Sequence, residues 1–269
     1  MLSIHNLIVD SSRDKLVRGI SLELQAGGWL ALAGESGSGK SLTAASIGGL
    51  LSKELKQSGI ISWQGTDLAD LSPSRKRQFL GKEISYIFQD YQGAFTPFMT
   101  IGKQLDEQLL THTALNRTQR RVLSIEALVN VSLSGERVYG SYPSELSGGQ
   151  LQRAAIASAL ILNPALMIAD EPTTALDSLT AHKVLTYISK ARARRDMSVL
   201  WITHDLRHVR RYADHVAIML KGEIVEQGAV DQVLNAPAHS YTQQLIAAIP
   251  PLSPHVPRRL GLPEGVHET

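Results

Sequence analysis

The sequence predicts an α/β fold: a core built round a glycine-rich loop, with an antiparallel β layer near the N-terminus and an inserted helical subdomain. Three observations carry this. Leu30–Ala33 is an unbroken apolar run that enters Gly34-Glu35-Ser36-Gly37-Ser38-Gly39-Lys40-Ser41, and a helix-compatible segment, Leu42–Leu51, follows. A second apolar run, Ala165–Ala169, ends in Asp170-Glu171. Between the two, Asp90–Thr100 is rich in turn formers and aromatics, and Leu123, Ala127, Leu128 and Val131 then recur at helical spacing.

The first observation matches G-x-x-x-x-G-K-[ST] in its required context of strand, loop and helix. Glycines let the backbone curl so that several N–H groups point into one hollow. The helix that Leu42 continues adds free donors and partial positive charge at its N-terminus. Residues Gly34 to Leu42 are thus the expected phosphate cradle: Lys40 reaches the β- and γ-phosphates of a nucleotide and the Ser41 hydroxyl ligates Mg²⁺.

Composition narrows the class. The chain has 269 residues, 43% hydrophobic and 19% charged, with net charge +2 and no cysteine. That suits a soluble globular protein of one large α/β domain or two small ones. It gives no electrostatic pointer to nucleic acid and removes disulfides and thiolate metal sites. The basic run Arg192–Arg195 reads as a solvated helix end. No apolar run approaches the ~20 residues of a membrane helix. The N-terminus lacks a secretory pattern, so the chain is expected in the cytosol, meeting a membrane only through partners.

Taken in order, residues 2–9 and Leu16–Leu24 alternate as strands, with Ile20, Leu22 and Leu24 on one face. Gly59–Trp63 is a further short strand before a turn at Gln64-Gly65. Pro73 opens a polar helix, and Ile84–Phe88 is a strand ending at Gln89. Ile101–Val131 reads mostly as helix, within an insertion of about residues 90–150. Leu151–Leu162 and 176–194 are helices, stopped in the first case by Asn163-Pro164. Ser198–Thr203 is a strand with His204 at its tip, and Lys221-Gly222 turns a hairpin. The domain is expected to occupy 1–230. A C-terminal extension, 231–269, carries short helices at Val230–Asn235 and Tyr241–Ile249 and then a proline-rich stretch read as extended or disordered.

Two motifs sharpen the chemistry. Asp170-Glu171 places adjacent carboxylates at a strand's C-terminal edge, near the glycine loop if the sheet is parallel. Asp170 would hold Mg²⁺ through water and Glu171 would orient the attacking water. Leu146-Ser147-Gly148-Gly149-Gln150 offers a hydroxyl and glycine amides at a second helix N-terminus. One fold does not easily aim both termini at one nucleotide, whereas two facing copies do.

With these motifs in hand, the sequence resembles the ATP-binding subunit of an ABC transporter over about residues 1–250. The resemblance implies a P-loop NTPase with a RecA-like core, an antiparallel β layer and a helical subdomain, using ATP and Mg²⁺. It implies that Gln89 senses the metal and the attacking water, that Glu171 is the catalytic base and that His204 contacts the γ-phosphate. It further implies that Ser147, Gly148, Gly149 and Gln150 face the ATP of the opposite subunit and that Asp177 lines the dimer seam. One departure stands out: the family's adenine-stacking aromatic is missing from Asp10-Ser11-Ser12-Arg13.

The stretches Ala94–Gly102, Tyr142–Glu145 and His239–Leu245 resemble the peptide/nickel importer subfamily, with Ser240 where proline is usual. This implies import of nickel, a metal–chelate (metallophore) complex or short peptides. The implied partners are two transmembrane permease subunits, a sibling ATP-binding subunit or a second copy, and indirectly an extracytoplasmic substrate-binding protein; the implied place is the cytoplasmic face of the membrane. The alternative is a soluble ABC-type ATPase subunit of a multi-enzyme complex, such as phosphonate breakdown. An apolar cluster of Tyr91, Phe95, Phe98 and Met99 is expected on the surface as a docking point.

Overall fold

Two sheets organise residues 1–249, the part that the computed structural model describes; the proline-rich stretch from 250 lies outside the described residues. In chain order the strands and helices are β1 (Leu2–Asp10), β2 (Lys15–Leu24), β3 (Trp29–Ala33), α1 (Lys40–Gly48), β4 (Lys56–Trp63), β5 (Thr66–Asp67), α2 (Pro73–Phe79) and β6 (Ile84–Ile87). The middle of the chain gives α3 (Ile101–His112), α4 (Arg117–Asn130), α5 (Gly135–Gly140), α6 (Gly148–Leu160), β7 (Leu166–Asp170) and α7 (Ser178–Arg195). Then come β8 (Ser198–Ile202), α8 (Leu206–Tyr212), β9 (His215–Leu220), β10 (Glu223–Ala229), α9 (Val230–Asn235) and α10 (Ser240–Ala247).

The smaller sheet, β2-β1-β4-β5, is antiparallel. Its alternating pattern puts Ile20, Leu22 and Leu24 on a buried face. The larger sheet runs β10-β9-β3-β8-β7-β6 and is parallel except for the β9–β10 hairpin. Its strands β3, β7 and β8 are buried along their whole length, which explains their unbroken apolar sequences. Leu32, Ile47, Trp63, Ile168 and Ile202 fill the space between the sheets. On the opposite side Trp29, Met167 and Trp201 join one cluster with α6, α7 and the helical insertion. A third cluster holds α8, α9 and α10 against Ala31, Ala33 and Ile218.

The insertion differs from the sequence expectation at one point. Residues 101–131 are mostly helix, as expected, divided into α3 and α4. Thr113 closes α3, its N–H and its hydroxyl both donating to the Leu109 carbonyl, and Asn116 opens α4 with a capping box to Gln119. The difference is Phe95, which is not on the surface: at 7% exposure it sits in the cluster formed with Ile101, Leu105 and Leu128. Phe98, at 87%, is fully presented. The other boundaries move by a few residues: α1 ends at Gly48, before a left-handed Gly49, and β4 starts at Lys56. The helix α8 and the two-residue β5 were not anticipated. Among the described residues no helix is long and apolar enough to cross a membrane.

Candidate nucleotide site

The site forms along the C-terminal edge of the parallel strands, where such folds place ligands. Strand β3 delivers the chain to Gly34, whose φ is +148°; a Cβ there would lie 2.1 Å from the Met219 carbonyl oxygen of β9, so glycine alone fits. The β9–β10 hairpin fixes the loop from outside, the Gly222 N–H donating to the Ser38 carbonyl at 3.0 Å. Gly39 is left-handed and makes no side-chain cap for α1. The first-turn amides of that helix, from Lys40 to Leu42, are therefore free of a cap and available to an anion. Gly37 has open space where a side chain would be, at the exposed crest with Ser36.

Lys40 is folded back onto its own loop. Its Nζ donates to the Glu35 carbonyl at 2.7 Å and the Gly34 carbonyl at 3.0 Å, with the Ser38 hydroxyl at 3.4 Å. Burial holds its ammonium below the usual lysine range, against the pull of Glu171, Asp170 and Glu35. A phosphate offers a stronger counter-charge than neutral carbonyls do, so the ammonium is poised to turn outward.

The carboxylates stand at the end of β7. Asp170 is 4% exposed, and its Oδ1 is buried with no hydrogen-bond partner. Burial raises its carboxyl above the ordinary value, the Ser41 hydroxyl opposing and the Glu171 charge adding to the rise. Glu171 has φ +49°, a left-handed backbone rare for a side chain of this size and of the kind that clusters at working sites. Its N–H donates to the Ile202 carbonyl at 2.9 Å, which fixes it against β8. His204, just beyond β8, brings Nδ1 to 3.1 Å from the Glu171 Oε1. A carboxylate only accepts, so in this contact the ring donates through Nδ1–H.

Gly34, Glu35, Ser36, Lys40, Glu171 and His204 line one cavity of about 200 Å³, together with Leu206 and Leu245. Gln89 lies two residues past β6, whose Ile87 pairs with Ala169, so it is at the same edge and exposed. The stretch from Ser147 to Gln150 does not line the cavity. Ser147 caps α6, accepting from the Gln150 N–H at 3.3 Å, while the Gln150 side chain accepts from the Ser147 N–H at 3.0 Å. Gly149 packs so closely under the loop after Glu171 that a Cβ would be 3.1 Å from the Ala175 carbonyl. Asp177 is exposed and caps α7, accepting from Leu179 and Thr180 N–H groups at 3.1 and 3.0 Å. The turn Ser11–Asp14 is held by the Ser11 hydroxyl and leaves Arg13 exposed.

Two residues not singled out from the sequence take part. Gln152, buried on α6, donates to the Glu171 carbonyl at 3.3 Å and accepts from the Ala175 N–H at 3.1 Å. It ties the Ser147–Gln150 helix to the carboxylate loop; the signal was a glutamine inside a helix face otherwise lined by Leu151, Ala154 and Ala155. Tyr241 of α10 accepts a hydrogen bond from the Glu35 N–H at 2.8 Å.

Comparison with known proteins points to one family. A family model described as ABC transporter matches residues 17–174. The chain is 40% identical to the metal-staphylopine import system ATP-binding protein CntD of Staphylococcus aureus (strain NCTC 8325 / PS 47), covering 93% of each. It is 41% identical to the oligopeptide transport ATP-binding protein OppD of Bacillus subtilis (strain 168), over 88% of this chain and 67% of that one. With the dipeptide transport ATP-binding protein DppD of the same organism the identity is 40%, over 94% and 77%. Among solved structures it is similar to a dimeric post-hydrolysis state of the ATP-binding cassette MJ0796 bound to ADP and Pi, with TM-score 0.78 and 27% identity over 86% of this chain and 99% of that one. The chain belongs to the ABC transporter family, as one of its ATP-hydrolysing, ATP-binding proteins.

Proposed function

We propose that this chain powers the import of short peptides or of a metal–chelate complex through a membrane transporter. Nickel, as the metal of such a chelate, falls within that cargo class. The observation that carries the reading is the cavity in which Lys40, Glu171 and His204 meet over the glycine loop. Relatives named for metal-staphylopine, oligopeptide and dipeptide import supply the cargo class. The same names favour a transporter over a soluble multi-enzyme complex.

The residues divide the work as follows. Amides from Gly34 to Leu42 cradle the phosphates, and Lys40 moves from its loop carbonyls to the terminal phosphates. Glu171 takes a proton from the attacking water, held in place by its left-handed backbone and by the Nδ1–H of His204. His204 meets the γ-phosphate by donating from a ring N–H, since a phosphate oxygen only accepts. Gln89 marks the remaining side of the water site. The partnerless Asp170 oxygen beside Ser41 fits a divalent cation, and among the described residues no cluster of three His, Asp or Glu offers an all-protein cage. That suits Mg²⁺, which is usually held by one or two carboxylates plus substrate phosphates; Asp170, Ser41 and Gln89 would hold it. When bound it neutralises charge developing on the phosphates.

The Ser147–Gln150 turn is outside the cavity, so we assign it, with Asp177, to the seam with a second ATP-binding subunit, a sibling or another copy. ATP held at that seam favours the closed pair, and hydrolysis releases it. The exposed Phe98, in the segment following Gln89, is assigned to contact with two transmembrane permease subunits, which places the chain on the cytoplasmic membrane face. The test is affinity purification of the tagged chain from its own cells in mild detergent. Recovery of two multi-span membrane proteins and a second ATP-binding subunit is expected. Recovery of soluble enzymes alone would overturn the transporter reading while leaving the ATP chemistry intact.

A further inference from the structure

The C-terminal stretch His239–Leu245 has no part in the chemistry above, yet it touches the glycine loop. Tyr241, on α10, accepts the Glu35 N–H at 2.8 Å. The Gly34 carbonyl, which belongs to the same peptide unit, accepts from Lys40 Nζ at 3.0 Å. One peptide plane is therefore held at both ends, by Lys40 on its oxygen and by Tyr241 on its nitrogen. Hydrogen bonds on the two ends of an amide polarise and strengthen each other. One turn further along α10, Leu245 lines the same cavity as Lys40, Glu171 and His204.

Nucleotide binding breaks one half of this clamp. The Lys40 ammonium must leave the Gly34 and Glu35 carbonyls to reach the phosphates, and the peptide then keeps its orientation through Tyr241. The tyrosine is itself set from elsewhere. Glu226 of β10 accepts from the Ala238 N–H at 2.8 Å and the His239 N–H at 3.1 Å, fixing the turn into α10. The His239 Nδ1 accepts from the Tyr241 N–H at 3.2 Å. Leu245, Ile246 and Ile249 pack on the cluster below. The helix is thus anchored without the tyrosine hydroxyl, which leaves that oxygen to the loop alone.

We propose that Tyr241 is a positioning residue for ATP binding: its hydroxyl holds the Gly34–Glu35 peptide in the phosphate-ready orientation once Lys40 has turned to the nucleotide. This rests on the reading of residues 34–42 as the phosphate cradle. The experiment is steady-state ATP hydrolysis by the full chain with Mg²⁺, comparing wild type, Tyr241→Phe and Lys40→Ala, with thermal unfolding alongside. Tyr241→Phe keeps the ring and removes one hydrogen bond, so KM for ATP should rise about two- to tenfold, with kcat and Tm little changed. A merely structural role would lower Tm and active fraction together and leave KM alone; that result, or an unchanged KM, overturns the proposal. If Tyr241→Phe is recovered only as aggregate, Glu226→Gln decides: it loosens the turn without touching loop or ring, and a raised KM supports the proposal while an unchanged one overturns it. At high protein concentration and with the co-purifying second ATP-binding subunit present, wild-type turnover no higher than that of Lys40→Ala would overturn the phosphate-cradle reading as well, whereas normal wild-type turnover matched by Tyr241→Phe would overturn the positioning role only.

Discussion

Replacing Asp170 with asparagine should stabilise the nucleotide-free protein while abolishing magnesium-dependent turnover. The carboxylate is 4% exposed, and one of its oxygens is buried without a partner. A buried unsatisfied polar group costs about 1–3 kcal/mol. An amide in the same place removes the charge but keeps some polarity, so about 1–2 kcal/mol should return, or roughly 2–8 °C in Tm for a chain of this size. The gain must depend on pH. Burial raises the Asp170 carboxyl above its ordinary value, so the folded state holds that proton more tightly than the unfolded chain does. The stability this confers is present at low pH and is lost as pH rises through the folded-state value. Wild type is therefore the weaker protein at neutral pH, and the gap to Asp170→Asn closes on acidification. With saturating ATP and Mg²⁺ the order should reverse, since a ligand at a hundredfold its Kd adds about 2.7 kcal/mol to the species that binds it. The assay is thermal unfolding of both proteins across pH, with and without nucleotide and metal. A lower Tm for Asp170→Asn in the nucleotide-free state, or a pH-independent gap, would refute the reasoning.

Two more variants test neighbouring parts. Glu171→Gln keeps shape and hydrogen bonding but cannot take a proton; hydrolysis should fall by about 10²–10⁴-fold while ATP binding by equilibrium dialysis persists, and an unchanged rate removes Glu171 as the base. Gly34→Ala forces a Cβ to 2.1 Å from the Met219 carbonyl oxygen; backbone strain and overpacking should cost about 2–4 kcal/mol, visible as a Tm drop of roughly 4–16 °C together with loss of nucleotide binding.

What the sequence made legible was local. Strand, loop and helix from Leu30 to Leu51 are contiguous, so their apolar run, glycines and lysine announce that arrangement without any knowledge of the rest. Asp170-Glu171 and His204 were legible for the same reason, each following a buried parallel strand whose unbroken apolar run marks its end. Phe95 was misplaced because its burial depends on α3 and α4 folding back over it, and a turn-rich stretch gives no periodicity to say which aromatic faces in. The break between α3 and α4 had a local signal in Thr113 and Asn116, overridden by the helical spacing on either side. Short α8 lacks the repeated apolar spacing that marks a longer helix; Asp205, whose side chain accepts the Arg207 N–H at 2.9 Å, was its start signal. The contact of Tyr241 with Glu35 spans 206 residues, and no pattern along the chain reports a pairing at that distance. Gln152 is similar: its polarity within an apolar helix face is visible, but its partners at Glu171 and Ala175 are not.

The most direct test of the central claim is magnesium-dependent ATP hydrolysis by the full chain, measured over a range of protein concentrations beside Lys40→Ala. The Ser147–Gln150 turn lies outside the cavity that holds Lys40, Glu171 and His204, and on the proposed reading it completes the site of a second subunit. The account predicts that specific activity rises with protein concentration, or on adding the sibling subunit, and that Lys40→Ala removes it. Turnover that survives Lys40→Ala, or a specific activity that is high at every dilution and indifferent to any second subunit, would contradict it.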